Sequence, residues 1–186
     1  MAISYPTSLD NFTNPTTTSL LTSPSHAQQH SDINDAVEAL EAKVAVGNTV
    51  LGTYTSYTPT FVNITAGNGT SLGAYCRVNN WVHYYGSFTL GSTSVVIAGI
   101  TINLPINANA DMSAVGQNYG LVSFYDLSAT TTFAGVARYT SSVSTVTASV
   151  QNAAGAYLQN QNANTTVPMT WATGDIINFN LYYRAA

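Results

Sequence analysis

The chain has 186 residues and a mass of 19.6 kDa, with 8 acidic and 4 basic side chains, a net charge of −4, one Cys and 45% hydrophobic residues. That length suits one domain of ordinary size plus an appendage. Four scattered cations neither neutralise the phosphates on which nucleic-acid affinity rests nor form a polybasic membrane contact, so both partners are excluded.

Residues 1–22 carry Pro6, Pro15, the run Thr16 to Thr18 and one charge, Asp10. No period of 2 or 3.6 survives there, which predicts an extended arm without a core of its own. Such an arm becomes ordered by binding something else, with Tyr5, Leu9, Phe12, Leu20 and Leu21 as its anchors. Met1 to Asp10 has neither a cationic n-region nor an apolar h-region, so no secretory signal peptide is expected. Further along, Thr, Asn or Gly interrupts every apolar run before the roughly 18 residues of a membrane helix.

The pattern changes at Ser23. Ser23 reads as an N-cap, Pro24 as the first helical residue and Gly47 as the stop, giving a helix over 23–47 about 35 Å long. Ile33, Val37, Leu40 and Val44 are spaced 4, 3, 4, a heptad seam with Val at a and Ile or Leu at d. The same register puts His26 at d and His30 at a. A narrow apolar stripe of this kind predicts packing against copies of itself, although heptad chemistry does not decide between two strands and three. At about three heptads the seam is marginal alone, so an oligomer must draw stability from the body as well.

From about residue 51 to 186 short strand-like runs alternate with turn residues every eight to twelve positions, the spacing of an antiparallel β-sandwich, jelly-roll-like, or a barrel. Strands are expected over Trp81 to Leu90, Val95 to Leu104, Gly120 to Asp126, Phe133 to Tyr139, Val143 to Val150 and Ile176 to Tyr183. In the last of these Ile177, Phe179, Leu181 and Tyr183 alternate with Asn178, Asn180 and Tyr182, so one face is core and the other polar. Turns are expected at Gly67-Asn68-Gly69, Asn79-Asn80, Ala154-Gly155 and Gly174-Asp175, with Pro105 ending one strand and Pro168 bordering another. The fold class is thus mainly β, a sandwich preceded by an extended arm and one coiled-coil-type helix.

Chemistry is sparse. The acids of the body are Asp111, Asp126 and Asp175, its other cations Arg77, Arg138 and Arg184, and its imidazole His83. Cys76 and His83 read as neighbours on two strands of one hairpin, where a small buried Cys is commoner than a nucleophile. Three scattered Asp residues are a weak basis for a glycosidase pair. Asn107, Asn109 and Asp111 alternate like the start of a calcium loop, but Met112 stands where that loop needs Gly and no Glu closes it. His26 and His30 share one helix face without the Glu of a zinc-protease motif, so a polar layer that sets register is preferred to an ion site. No catalytic residue, metal or cofactor is assigned. Outward Tyr and Trp beside Asn and Thr are also the surface chemistry of sugar and protein binding.

The segments Tyr5-Pro6-Thr7-Ser8-Leu9-Asp10, Asn14-Pro15, Ser23-Pro24-Ser25-His26-Ala27-Gln28-Gln29-His30 and Asn34-Asp35-Ala36-Val37-Glu38-Ala39-Leu40-Glu41 together resemble the N-terminal region of tailed-bacteriophage virion proteins: head fibres, capsid decorations and minor tail proteins. The body is similar, more loosely, to the β-domain that often follows, through Tyr57-Thr58-Pro59-Thr60, Gly67-Asn68-Gly69-Thr70 and Thr170-Trp171-Ala172-Thr173-Gly174-Asp175. One departure is that Ala45-Val46 separates Lys43-Val44 from Gly47, where the family has Gly directly. The resemblance implies an N-terminal peptide that attaches to phage capsid or tail proteins, a short bundle that is commonly a homotrimer, and a distal β-sandwich at the virion surface. Its rivals are an adhesin recognising host cell-surface glycan, a surface depolymerase acting through Asp126 or Asp175, and a free-standing lectin.

Overall fold

A computed structural model describes residues 25–44, 52–139, 141–153 and 155–186, with the backbone alone over 41–44. The chain divides into two units after Thr53.

In the first unit, α1 spans His26–Val44, 19 residues and about 28 Å. It starts two residues later than the Ser23-Pro24 pair predicts, because Ser25 supplies the cap: its Oγ accepts the Gln28 N–H at 3.1 Å. Ser25-His26-Ala27-Gln28 has the S-x-x-Q spacing of a capping box, although the Gln28 side chain donates onward to Asp32 Oδ1 at 2.8 Å. Ala, Gln, Glu and Leu then hold the helix by propensity. Ser23, Pro24 and Gly47 lie outside the described residues.

The second unit is one antiparallel sheet of ten strands: β1 (Thr55–Ser56), β2 (Phe61–Thr65), β3 (Thr70–Val78), β4 (Trp81–Thr89), β5 (Val95–Asn103), β6 (Asn118–Asp126), β7 (Thr131–Arg138), β8 (Thr145–Asn152), β9 (Gln159–Asn162) and β10 (Ile176–Arg184). The order is β1-β3-β4-β10-β6-β7-β8-β5-β2, with β9 added to β8. The sandwich arises because this sheet curls over itself. Phe61 of the edge strand β2 packs on Phe88 of β4 and Phe179 of β10, with ring centroids 5.3 and 6.3 Å apart. A cross-strand glycine pair makes room for the connection from β1 to β2. A Cβ on Gly73 would lie 2.8 Å from the Pro59 ring, and one on Gly86 2.7 Å from the Phe179 ring. Pro59 itself is buried.

The six expected strands are present within a few residues of their predicted ends, and the alternation along β10 holds: Ile177, Phe179, Leu181 and Tyr183 are buried while Asn178, Asn180 and Tyr182 are exposed. Turns fall at Gly67-Asn68 and Asn79-Asn80, and the turn before β10 at Thr173-Gly174. Pro105 lies just past β5, whereas Pro168 follows the isolated bridge of Val167 with Asn164.

The core is aromatic and aliphatic, with Tyr84, Phe88, Ile100, Ile102, Phe124, Ile177 and Leu181 fully enclosed. Tyr119 and Tyr183 donate their hydroxyls to the carbonyls of Met112 and Ile106 at 2.9 and 2.8 Å. Tyr84 does not: its hydroxyl is buried with no hydrogen-bond partner among the described residues, and burial pushes the phenol far above its ordinary range. A desolvated hydroxyl without a partner works against folding. Tyr84→Phe is therefore expected to stabilise the protein by about 1 kcal/mol, read as a higher urea midpoint with an unchanged m-value.

Candidate functional site

The outward positions of β3, β4, β10, β6 and β7 align in rows across the strands, because period 2 and antiparallel register place every second residue on one face. One row runs Ala74, Tyr85, Asn180, Leu121, Val136, and the next runs Leu72, Ser87, Asn178, Ser123, Ala134. A third closes the other side with Thr70, Thr89, Ile176, Tyr125 and Thr132. Leu72 and Leu121 are 73% and 67% exposed and Tyr182 is 58% exposed, so large apolar surface faces outward.

The middle row is the lowest of the three, since Ser, Asn and Ala stand between Tyr85 and Leu121 on one side and Tyr125 on the other. Two hollows open there. One of about 610 Å³ is bounded by Leu72, His83, Tyr85, Ser87, Asn178 and Asn180. The other, about 330 Å³, lies against Leu121, Ser123, Thr132 and Ala134 and shares Asn178 and Asn180 with the first. Together they form a shallow groove across five strands, about 19 Å at the usual strand spacing. The side chains of Asn178, Ser87, Ser123 and Thr132 form no hydrogen bond among the described residues, and neither does the Tyr85 hydroxyl. The groove therefore offers neutral donors and acceptors beside aromatic surface, with no charged residue among those that bound it.

At one end of the groove His83 is fully engaged. Its Nδ1 meets the Tyr54 hydroxyl at 2.5 Å, its Nε2 meets Asn180 Oδ1 at 2.7 Å, and its ring stacks on Tyr182 at 4.2 Å with planes 9° apart. Asn180 Oδ1 accepts from the His83 Nε2–H, which leaves Nδ1 to accept from the Tyr54 hydroxyl, and partial desolvation, then the Cys76 thiol beside it, hold the Tyr54 phenol above its ordinary range. Cys76 and His83 are direct cross-strand partners, as the hairpin reading expects. Yet the thiol is buried, the Tyr54 hydroxyl interacts with both groups, and the far imidazole nitrogen faces an amide. This arrangement fixes aromatic rings in place and presents no nucleophile.

The acids of the body are likewise engaged. Asp175 is wholly buried, with Oδ1 accepting from Leu127 N at 3.0 Å and Oδ2 from Ala172 N at 2.7 Å. Hydrogen bonds from Ser128 Oγ and Ala129 N hold the Asp126 carboxyl below its ordinary range and fasten a turn. Asp111 pairs with Arg184. The stretch read against a calcium loop is a 3₁₀ turn, Ala110–Met112, capped by the Asn109 side chain.

Of the residues singled out in the sequence, Tyr5, Leu9, Phe12, Leu20 and Leu21 lie outside the described residues. His26, His30, Ile33, Val37 and Leu40 all lie on α1, as does the backbone of Val44. Ile33, Val37 and Leu40 are about half exposed, at 54%, 48% and 53%. The groove was not singled out. Its signal was nevertheless present in the polar alternation Asn178, Asn180, Tyr182; what the sequence lacks is the register that sets Ser87 and Ser123 beside Asn178. No family model, curated protein or solved structure matches the chain.

Proposed function

We propose that this chain is a non-enzymatic structural protein of a tailed-bacteriophage particle: a homotrimeric head fibre, capsid decoration or minor tail protein on the virion surface. Residues 1–22 dock on capsid or tail proteins, α1 forms a parallel bundle, and the β-body is displayed. The observation that carries this reading is the seam of α1, where Ile33, Val37 and Leu40 keep heptad spacing and stand about half exposed. A helix with that stripe gains burial from copies of itself. The resemblance of the N-terminal region to phage virion proteins supports the same reading. Three weak arms per trimer then hold the particle by avidity, without any single tight contact. Deleting residues 1–22 is expected to leave a folded oligomer that no longer joins particles, scored by immunoblot of purified virions. Unchanged incorporation would sink the docking role.

A second reading, an adhesin for host cell-surface glycan, is favoured by the neutral groove. Free hydroxyl and amide groups beside Tyr85 suit a ligand that carries hydroxyls on one face and C–H surface on the other. Tyr85→Ala combined with Asn178→Ala is expected to weaken binding to host cell-wall polysaccharide at least about tenfold, the loss of one ring contact and one hydrogen bond. Both side chains are exposed, so the melting temperature should hardly move. Wild-type binding that survives the double substitution would remove the groove from the account.

A further inference from the structure

The two asparagine amides on the floor of the groove are not equivalent. Asn178 makes no hydrogen bond among the described residues, so its amide turns to give or to accept as a hydroxyl requires. Asn180 has a single polarity. Its Oδ1 accepts from the His83 Nε2–H at 2.7 Å, and the side of the amide left to the groove is the NH₂, which only donates. That direction is imposed from behind, because the Tyr54 hydroxyl donates to His83 Nδ1 at 2.5 Å and so keeps the ring hydrogen on Nε2. Tyr182, stacked at 4.2 Å, and the Tyr54 and Tyr85 rings, with centroids 5.5 and 5.7 Å away, hold the imidazole in place. Hydrogen-bond polarity therefore runs from Tyr54 through His83 to a fixed donor at the groove surface before any ligand arrives.

The neighbours of Asn180 decide what that donor meets. In the register of the sheet Tyr85 lies directly on one side of it and Leu121 on the other, each about 4.8 Å away at the usual strand spacing. A ligand lying across the strands thus meets in turn an aromatic ring, a hydrogen-bond donor and a bare aliphatic side chain. A carboxylate would suit the donor, but no charged residue bounds the groove and the chain carries a net charge of −4, so an anion finds no cation there and is repelled. A sugar hydroxyl would accept from Asn180 and leave Leu121 uncovered. An acetamido group satisfies both: its carbonyl accepts from the NH₂ and its methyl covers Leu121, while the sugar ring that bears it lies on Tyr85.

We propose that the groove selects polysaccharides of N-acetylhexosamine, with Asn180 and Leu121 reading the acetamido group and His83 as the positioning residue that keeps Asn180 a donor. The inference rests on the glycan reading of the groove given above.

The test compares chitohexaose with cellohexaose, which share length and linkage and differ only in carrying an acetamido or a hydroxyl group on each ring. Each is titrated against the full-length protein and read by saturation-transfer NMR of the sugar. Chitohexaose is expected to bind about tenfold more tightly than cellohexaose, with its acetyl methyls taking up the most saturation. Leu121→Ala, at an exposed position that leaves the melting temperature unchanged, should bring the two sugars within about twofold of each other. His83→Phe keeps a ring on Tyr182 but releases Asn180 Oδ1, and should erase the preference in the same way. Equal affinity of the wild-type protein for the two sugars, no binding of chitohexaose, or a preference that survives either substitution would overturn the inference. Host cell-wall polysaccharide assayed beside them separates the two failures. If it binds the wild-type protein and not the Tyr85→Ala, Asn178→Ala variant, the groove remains a glycan site and only the acetamido selectivity falls; if it does not bind at all, the glycan reading falls with it.

Discussion

Replacing Asp175 with Ala is expected to remove about 3–5 kcal/mol of folding stability, lowering the melting temperature by about 10 °C or more in a protein of this size. The carboxylate is fully buried and each oxygen accepts one backbone N–H, from Leu127 after β6 and from Ala172 in the loop before β10. A hydrogen bond to a charged acceptor contributes about 1.5–3 kcal/mol, and two are lost here at once. The same corner is held by backbone bonds of Leu90 with Gly174 and Asp175, so the side chain joins the ends of β4, β6 and β10. The corner also requires glycine at position 174, which sits at φ +91° and where a Cβ would lie 2.4 Å from Leu127. Asp175→Asn keeps the volume but turns an NH₂ toward one of the two donors, and should lose about half as much as the Ala variant. Asp126→Ala is the control. That residue fastens only an exposed turn, so the urea midpoint should scarcely change. Equal effects at the two positions would mean that the burial of Asp175 is not what makes it matter.

These two acids show what a sequence withholds. As letters, Asp126 and Asp175 were equal candidates for surface chemistry, and only the curl of the sheet encloses one and leaves the other in a turn. Strands with regular alternation were legible for the opposite reason: in β10 the pattern of burial is the pattern of the letters. The unread strands each break that rule. In β3 the largest aliphatic near its start, Leu72, faces outward while Gly73 lies inward against Pro59. In β2 the alternation is interrupted at Asn63, which adopts φ +66° where the register shifts against β5. β9 is Gln-Asn-Gln-Asn and wholly exposed, held by its ladder to β8 with no apolar side to announce it.

The groove follows the same logic at the level of pairs. Ser87, Asn178 and Ser123 are unremarkable in three separate strands, and become one floor only through the registers of β4, β10 and β6. The seam of α1 needs no such partner information, because its spacing lies within a single helix. That is why His26 and His30 were identifiable from the sequence while Tyr54 and Asn180, which complete the His83 cluster, were not.

Val37→Glu combined with Leu40→Glu is expected to reduce the mass of the full chain in light scattering from near three times 19.6 kDa to 19.6 kDa at micromolar concentration. Ile33, Val37 and Leu40 are already about half covered, so completing their burial adds about half of the 1.5–3 kcal/mol of a large apolar side chain. Three such side chains on each of three helices sum to about 7–14 kcal/mol. Against this stand two association steps at about 4–15 kcal/mol each. The seam alone is therefore near or below balance, and the rest must come from contacts of the body. Two glutamates per chain remove most of the seam and place six carboxylates around one axis, which an assembly so close to balance does not withstand. A chain shortened to residues 47–186 separates the contributions. If it is monomeric, the helix is required for assembly; if it keeps the full mass, and the glutamate variant does too, association belongs to the β-body and the seam of α1 serves another partner.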